Sequence, residues 1–324
     1  MLLNSIDDVN SFLKSYYDSP SCLYGSPKPI DEQGYDAVKC IYFKEFSEGT
    51  YDYSIVMPIH NQEAIIVDNL NSILTCTVGS NEIILILDAC DDNTKNLVFE
   101  LFDSLTDFKD LRRVIICSSD VPLFETVCDN IGFRLACGKW FLEIQADMTM
   151  VEMGYNLRLS IPFYMSDSVI AVSGRCCHNV IETQTIGKYY KDIEKSLHQL
   201  GIDRKLFYVN EVCNRGPLLL SASKTRAMGY LDETNFFLDY SEMDLMLRAH
   251  DKKGWICGYV PIDFFSPLDD GSTRKPRNAT NTEIYNIRKV RSDGGFFKVY
   301  RERGIFRNLY AVPLVDMFVG TAKY

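Results

Sequence analysis

The chain has 324 residues, 46% hydrophobic and 24% charged, with a net charge of −10 and a pI near 5.0. That is material for one large globular α/β domain with additions, and the acidic balance excludes a nucleic-acid binder that works by displacing counterions from phosphates. No apolar run reaches the roughly 18 to 20 residues of an integral membrane segment, and acids stand where a secretory leader carries bases, so the expected compartment is the cytoplasm.

The stretch 1–52 reads as an N-terminal extension. It begins with an amphipathic helix bearing Ile6, Val9, Phe12 and Leu13 on one face, and Pro20, Gly25, Pro27, Pro29 and Gly34 then break the chain. From Tyr53 the pattern changes. Ser54–Met57 is an apolar strand ended by Pro58, and Ile66, Leu70, Ile73 and Leu74 mark the helix after it. Ile83–Leu87 is a second strand, closed by Asp88. Leu97, Val98, Leu101, Phe102 and Leu105 form the next helical face, and Val114–Cys117 a third strand. Val127, Ile131 and Leu135 mark a helix, and Trp140–Ile144 a fourth strand running into Gln145-Ala146-Asp147. Continuous apolar strands alternating with amphipathic helices predict a mostly parallel central sheet covered on both faces. Ligands bind such sheets beyond the carboxyl ends of the strands, where His60, Asn61, Glu63, Asp88, Asp91, Asp92 and Asp147 fall.

Beyond residue 150 the periodicity is weaker. Strands are expected at Val169–Ser173 and Leu218–Leu220, and helices near 189–200, near 224–228 and from Ser241. The tail 266–324 contains a basic loop with Arg274, Lys275 and Arg277, which suits closure on a diphosphate or a plain solvated surface. Eleven cysteines without a CxxC pair read as buried free thiols rather than a zinc site or disulfide framework. The histidines show no metal-ligand spacing; His250, with Asp269, is the one placed to complete a metal shell.

Four segments in order resemble family 2 glycosyltransferases. They are Ser54–Glu63, Asp88–Thr94, the run Asn130-Ile131-Gly132 to Asp147, and Gly229–Glu233 followed by Ser241–Leu245. The resemblance implies a Rossmann-like GT-A fold, with 53–150 holding a nucleotide sugar and 151–265 building the acceptor and catalytic half. It implies an enzyme of hexosyltransferase type that is metal-dependent, inverting and UDP-sugar-using by preference, acting on a glycan, lipid-linked or protein acceptor. Pro58, His60, Asn130, Ala146 and Arg274 fall on the donor-binding positions.

Asp88 is placed to accept the imide N–H of uracil or to cap a helix. Glu63 is placed to contact base or ribose, or to complement a helix dipole. Asp147 stands where the family binds Mn²⁺ or Mg²⁺, a cation that takes one or two carboxylates together with diphosphate oxygens. Gln145 replaces the first acid of that motif and is expected to face ribose or a metal-bound water. Glu242 falls on the catalytic base, with Asp244 bracing the helix; an acid pair at a helix start is the plainer reading. The first turn lacks the Gly-rich loop of a dehydrogenase or nucleotidyltransferase. A catalytically degenerate domain that binds nucleotide or glycan is the non-enzymatic alternative, favoured by Gln145 alone.

Overall fold

The computed structural model describes residues 3–17, 38–175, 203–233, 235–236, 240–265, 296, 300, 303 and 310–314. Five parallel-favouring apolar runs account for its centre. β2 (Tyr53–Ile59), β3 (Asn81–Asp88), β4 (Leu111–Ser119), β5 (Trp140–Glu143) and β7 (Val169–Ser173) alternate with α2 (Ile66–Cys76), α3 (Thr94–Ser104), α4 (Glu125–Leu135) and α5 (Tyr155–Met165). With β1 (Lys39–Glu45), β8 (Leu206–Asn210), β9 (Leu218–Ser221), β10 (Ile256–Tyr259) and β12 (Tyr310–Pro313) they form a ten-stranded sheet in the order β1-β4-β3-β2-β5-β9-β7-β10-β8-β12. The ladders β4-β3-β2-β5 and β7-β10 are parallel, while β1, β9 and β8 run against them.

Alternation on one strand explains why the apolar runs are unbroken. On β3, Ile83, Leu85 and Leu87 face a layer made with α2, α3 and α5, while Ile84 and Ile86 face a layer made with α1 (Ile6–Tyr17), α4, α6 (Ala222–Ala227) and α7 (Ser241–Lys253). Both faces are buried, so both parities must be apolar; each such side chain stabilises by about 1.5–3 kcal/mol. Gly132 lets α4 lie directly on β2, because a Cβ there would stand 2.3 Å from Val56 Cγ1.

Several expectations need correction. In the N-terminal extension α1 packs on β1, an unforeseen edge strand, and Val9 and Leu13 are buried while Ile6, expected on the same face, is exposed. Pro58 does not end its strand. Val56 accepts from Ile144, so the imino nitrogen of Pro58 faces the same side, where pairing with β5 has already stopped. β8, β10 and α5 were not foreseen, nor was the short ladder between β6 (Thr149–Met150) and β11 (Phe264–Phe265). The helix expected near 189–200, Arg274 with the basic loop, and Asp269 lie outside the described residues. Among the described residues no helix is long and apolar enough to cross a membrane. The described cysteines are free thiols, mostly buried, though Cys137 is exposed.

Candidate functional site

Parallel strands deliver their carboxyl ends to one edge, and the loops there hold each other. His60 Nδ1 lies 2.6 Å from the Asp88 carbonyl. Asn61, at φ 50°, donates to Asp91 and accepts the Asp91 amide at 2.9 Å. The Glu63 carboxylate accepts the amide of Asn93 at 2.9 Å, at the N-terminus of α3, while Asp92 accepts from Glu63 and Thr94. Glu63 therefore complements the dipole of the neighbouring helix rather than that of its own.

Asp88 does something different from a cap on α3. Its two oxygens accept the amides of Leu123 (2.6 Å) and Phe124 (2.9 Å), fixing the start of α4. Phe124 sits at φ 68°, a region a bulky residue avoids unless held there. From that fixed start, Glu125 and Asp129 project four residues apart on one face of α4. Asn130 is buried, with its amide on Leu231 and Glu233. It anchors the segment preceding α7.

Arg215 is the hub that α4 meets. Its guanidinium pairs with Asp129, donates to Glu242 at 3.0 Å, lies 3.4 Å from Glu125, and donates to Thr126 and Ser241. The adjoining amide of Gly216 donates to Glu143 at 3.2 Å. One cation thus faces four carboxylates in a buried volume. Burial pushes the Asp129 carboxyl up to about 8 against the pull of Arg215. Burial first, then repulsion from Asp129, raises Glu143 well above the carboxylate range. Among the described residues Asp129 Oδ1 and Glu143 Oε1 are buried without a hydrogen-bond partner. Three of these residues, Glu125, Asp129 and Glu143, escaped the sequence reading. The available signal was Glu143, an acid inside the apolar strand Trp140–Ile144.

The segment after β5 is a pinned turn. Met148 donates to the Gln145 carbonyl, Asn69 of α2 donates to the Ala146 carbonyl at 2.6 Å, and Thr149 donates to Asn69. Gln145 donates from Nε2 to Glu125 at 2.9 Å. Asp147, half-buried, rides at the tip of this turn. Among the described residues no group of three or more His, Cys, Asp or Glu side chains is arranged to hold a metal ion. One carboxylate on a rigid turn fits a hard cation that takes its remaining ligands from diphosphate and water, and does not fit a closed cage.

α7 brings the last elements. Ser241 and Glu242 open the helix after Tyr240 at φ 70°, and Gly254 closes it. Glu242 is buried, and its Oε1 makes no hydrogen bond among the described residues. Asp244 does brace the helix: it pairs with Arg248 at 2.6 Å and accepts from Tyr300 at 2.6 Å. Phe296 stacks on Tyr240, with ring centroids 4.5 Å apart. His250 lies two turns beyond Glu242, bonded to the Trp255 carbonyl and 3.5 Å from Glu211, and does not join the Asp147 turn.

The structure therefore brings Gln145, Glu242 and Arg215 into one network, sets Asp147 beside it through the turn, and joins His60 to Asp88. The mostly parallel sheet, flanked by helices and with these loops at its carboxyl edge, is a GT-A-like fold. Solved structures that share it include two glycosyltransferases. A mannosyltransferase from Pyrobaculum calidifontis, determined with GDP-Man and Mn²⁺, superposes with a TM-score of 0.52 at 13% identity, over 92% of this chain and 76% of that one. GalNAc-T7, determined with UDP, GalNAc and Mn²⁺, gives 0.50 at 14% identity, over 68% and 44%. TarS of S. aureus gives 0.44 at 13% identity over 67% of this chain and 37% of that one, too distant to weigh. The chain thus spans well under two thirds of the length of both GalNAc-T7 and TarS. No protein-family model and no curated protein matches the sequence. The likeness is one of fold.

Proposed function

We propose that the protein is a glycosyltransferase that takes a sugar from a nucleoside diphosphate donor, UDP-linked by preference, with a divalent cation, and transfers it to a glycan, lipid-linked or protein acceptor. One observation carries the reading. On a GT-A-like sheet, the turn holding Asp147 is tied through Gln145, Glu125 and Arg215 to Glu242, a carboxylate with one oxygen outside that network. Asp147 would hold Mn²⁺ or Mg²⁺ jointly with the diphosphate. When bound, such a cation neutralises the diphosphate and stabilises it as a leaving group. Glu242 takes the proton of the attacking hydroxyl, and Arg215 fixes its rotamer. Attack from the face opposite the nucleotide inverts the anomeric centre; proton NMR of a product with retained anomer would remove that part. Pro58, His60 and Asp88 border the donor. The neighbouring folds were determined with UDP or GDP-Man and with Mn²⁺, which supports this class of ligand.

Titration calorimetry of UDP and GDP, with and without Mn²⁺, tests the reading. Nucleotide binding that requires Mn²⁺ and disappears in Asp147→Ala is expected. No binding under any metal condition would leave a nucleotide-independent domain on the same fold.

A further inference from the structure

We infer that Gln145 is not a vacated metal-ligand position but a positioning residue, the neutral donor that couples the Asp147 turn to the charge network holding Glu242. The inference rests on the functional reading above only for what the turn carries; the coupling is geometric.

Gln145 occupies the place at which an acid would give the turn a second carboxylate. Its surroundings exclude one. The amide Nε2 donates to Glu125 Oε1 at 2.9 Å, and Glu125 lies 3.4 Å from Arg215. The carboxylates facing this hub come from every element around it: Glu125 and Asp129 on α4, Glu143 on β5 and Glu242 on α7. Arg215 on the segment before β9 pairs with Glu125, Asp129 and Glu242. A fifth carboxylate at 145 would lose the donor and face Glu125 directly. The backbone is built around the amide as well. Gly216, at φ 55°, brings the main chain against Met148 and Gln145, and a Cβ there would stand 2.6 Å from Met148 Cε and 3.1 Å from Gln145 Oε1. The sequence Gln145–Glu125–Arg215–Glu242 is therefore a continuous polar chain from the metal turn to the base, and its first link needs a hydrogen-bond donor facing Glu125 Oε1.

The experiment uses the full chain and three forms: wild type, Gln145→Glu and Gln145→Asp. Thermal unfolding without metal or nucleotide is read at pH 8. Gln145→Glu keeps length and replaces the amide donor with a carboxylate facing Glu125. Its midpoint should fall about 2–4 °C below wild type. A midpoint within about 1 °C of wild type would show that Glu125 does not need the donor and would overturn the inference. Calorimetry with MnCl₂ and UDP is the second arm. Gln145→Asp should bind no tighter than wild type; a gain of about tenfold or more (~1.4 kcal/mol) without loss of stability would make 145 a vacated ligand and overturn the inference. If wild type and variants alike ignore UDP with Mn²⁺, the functional reading is what fails. The unfolding comparison then decides the role of Gln145 alone.

Discussion

Two buried guanidinium groups hold opposite edges of the same sheet, and their company differs. At the amino edge, Arg113 at the start of β4 donates through Nε to Glu82 Oε2 at 3.0 Å, while Glu82 Oε1 accepts from Ser54 and from the Cys137 amide, each at 2.6 Å. Arg113 also donates to the Leu3 carbonyl, stapling the N-terminal extension in place. One cation meets one anion, and both carboxylate oxygens are filled. At the carboxyl edge Arg215 meets four carboxylates, two of which have a fully buried oxygen with no hydrogen-bond partner among the described residues. Folding alone accounts for the first arrangement. The second is costly to bury, and such excess persists where a site needs charge and proton affinity held in place.

The largest expected effect separates the two edges. Arg215→Met should cost about 3–5 kcal/mol, or abolish folding, because it leaves several carboxylates without their cation. Arg113→Met should cost less, since Glu82 keeps the Ser54 and Cys137 donors. Urea unfolding of both variants side by side measures the order. Equal losses would mean that the four-acid cluster is no more strained than the one-to-one pair.

A second test uses pH. Glu143 and Asp129 are both raised in the folded state. A raised acid contributes stability that is complete below its unfolded value of about 4 and declines as pH rises toward the folded one. Wild type should therefore weaken between about pH 5 and 8. Glu143→Gln removes one titrating proton and should flatten that decline by up to about 1.4 kcal/mol per pH unit. Urea midpoints across this range give the slope. An unchanged slope would show that Glu143 holds no proton and that the cluster is balanced by other means.

The same contrast explains what could be read from the sequence. The half from Tyr53 to Glu143 was legible because parallel strands buried on both faces must be apolar throughout, and Ile83–Leu87 or Val114–Cys117 show it directly. β8 and β10 were missed because Leu206–Asn210 and Ile256–Tyr259 are short and broken by Tyr, Asn and Gly. Their strand character comes from antiparallel pairing with each other, a contact that local periodicity does not encode. Gln145 and Glu242 were legible as motif positions. The hub joining them was not, since Glu125, Asp129, Glu143 and Arg215 come from three elements whose convergence only the fold creates. Asp88 read as a uracil acceptor or a helix cap, and its partners are the amides that start α4.

Asp88→Asn should come next in size. A carboxamide offers one acceptor oxygen, so one of the Leu123 and Phe124 amides would lose its partner, at about 1–3 kcal/mol. Since this also loosens the start of α4, from which Glu125 and Asp129 project, the loss should add to that of Gln145→Glu less than independently. A double-mutant cycle in urea reads the coupling. Full additivity would detach the Asp88 end of the site from the Arg215 hub.

The smallest effect decides between two roles for one residue. Glu63 is exposed, and its carboxylate accepts the Asn93 amide at the start of α3. Glu63→Gln keeps an acceptor and removes the charge, so only the dipole contribution is lost, about 0.3–1 kcal/mol at low salt and less at high salt. If that is its whole role, UDP affinity in the presence of Mn²⁺ should stay within a few-fold of wild type. The salt dependence is the sharper half of the test. A stability loss that fades with added salt belongs to the exposed helix terminus, whereas a salt-insensitive loss of UDP affinity of about tenfold would place Glu63 against the nucleotide. Either result shows whether the exposed acids of the first loops belong with the balanced, structural edge or with the strained one.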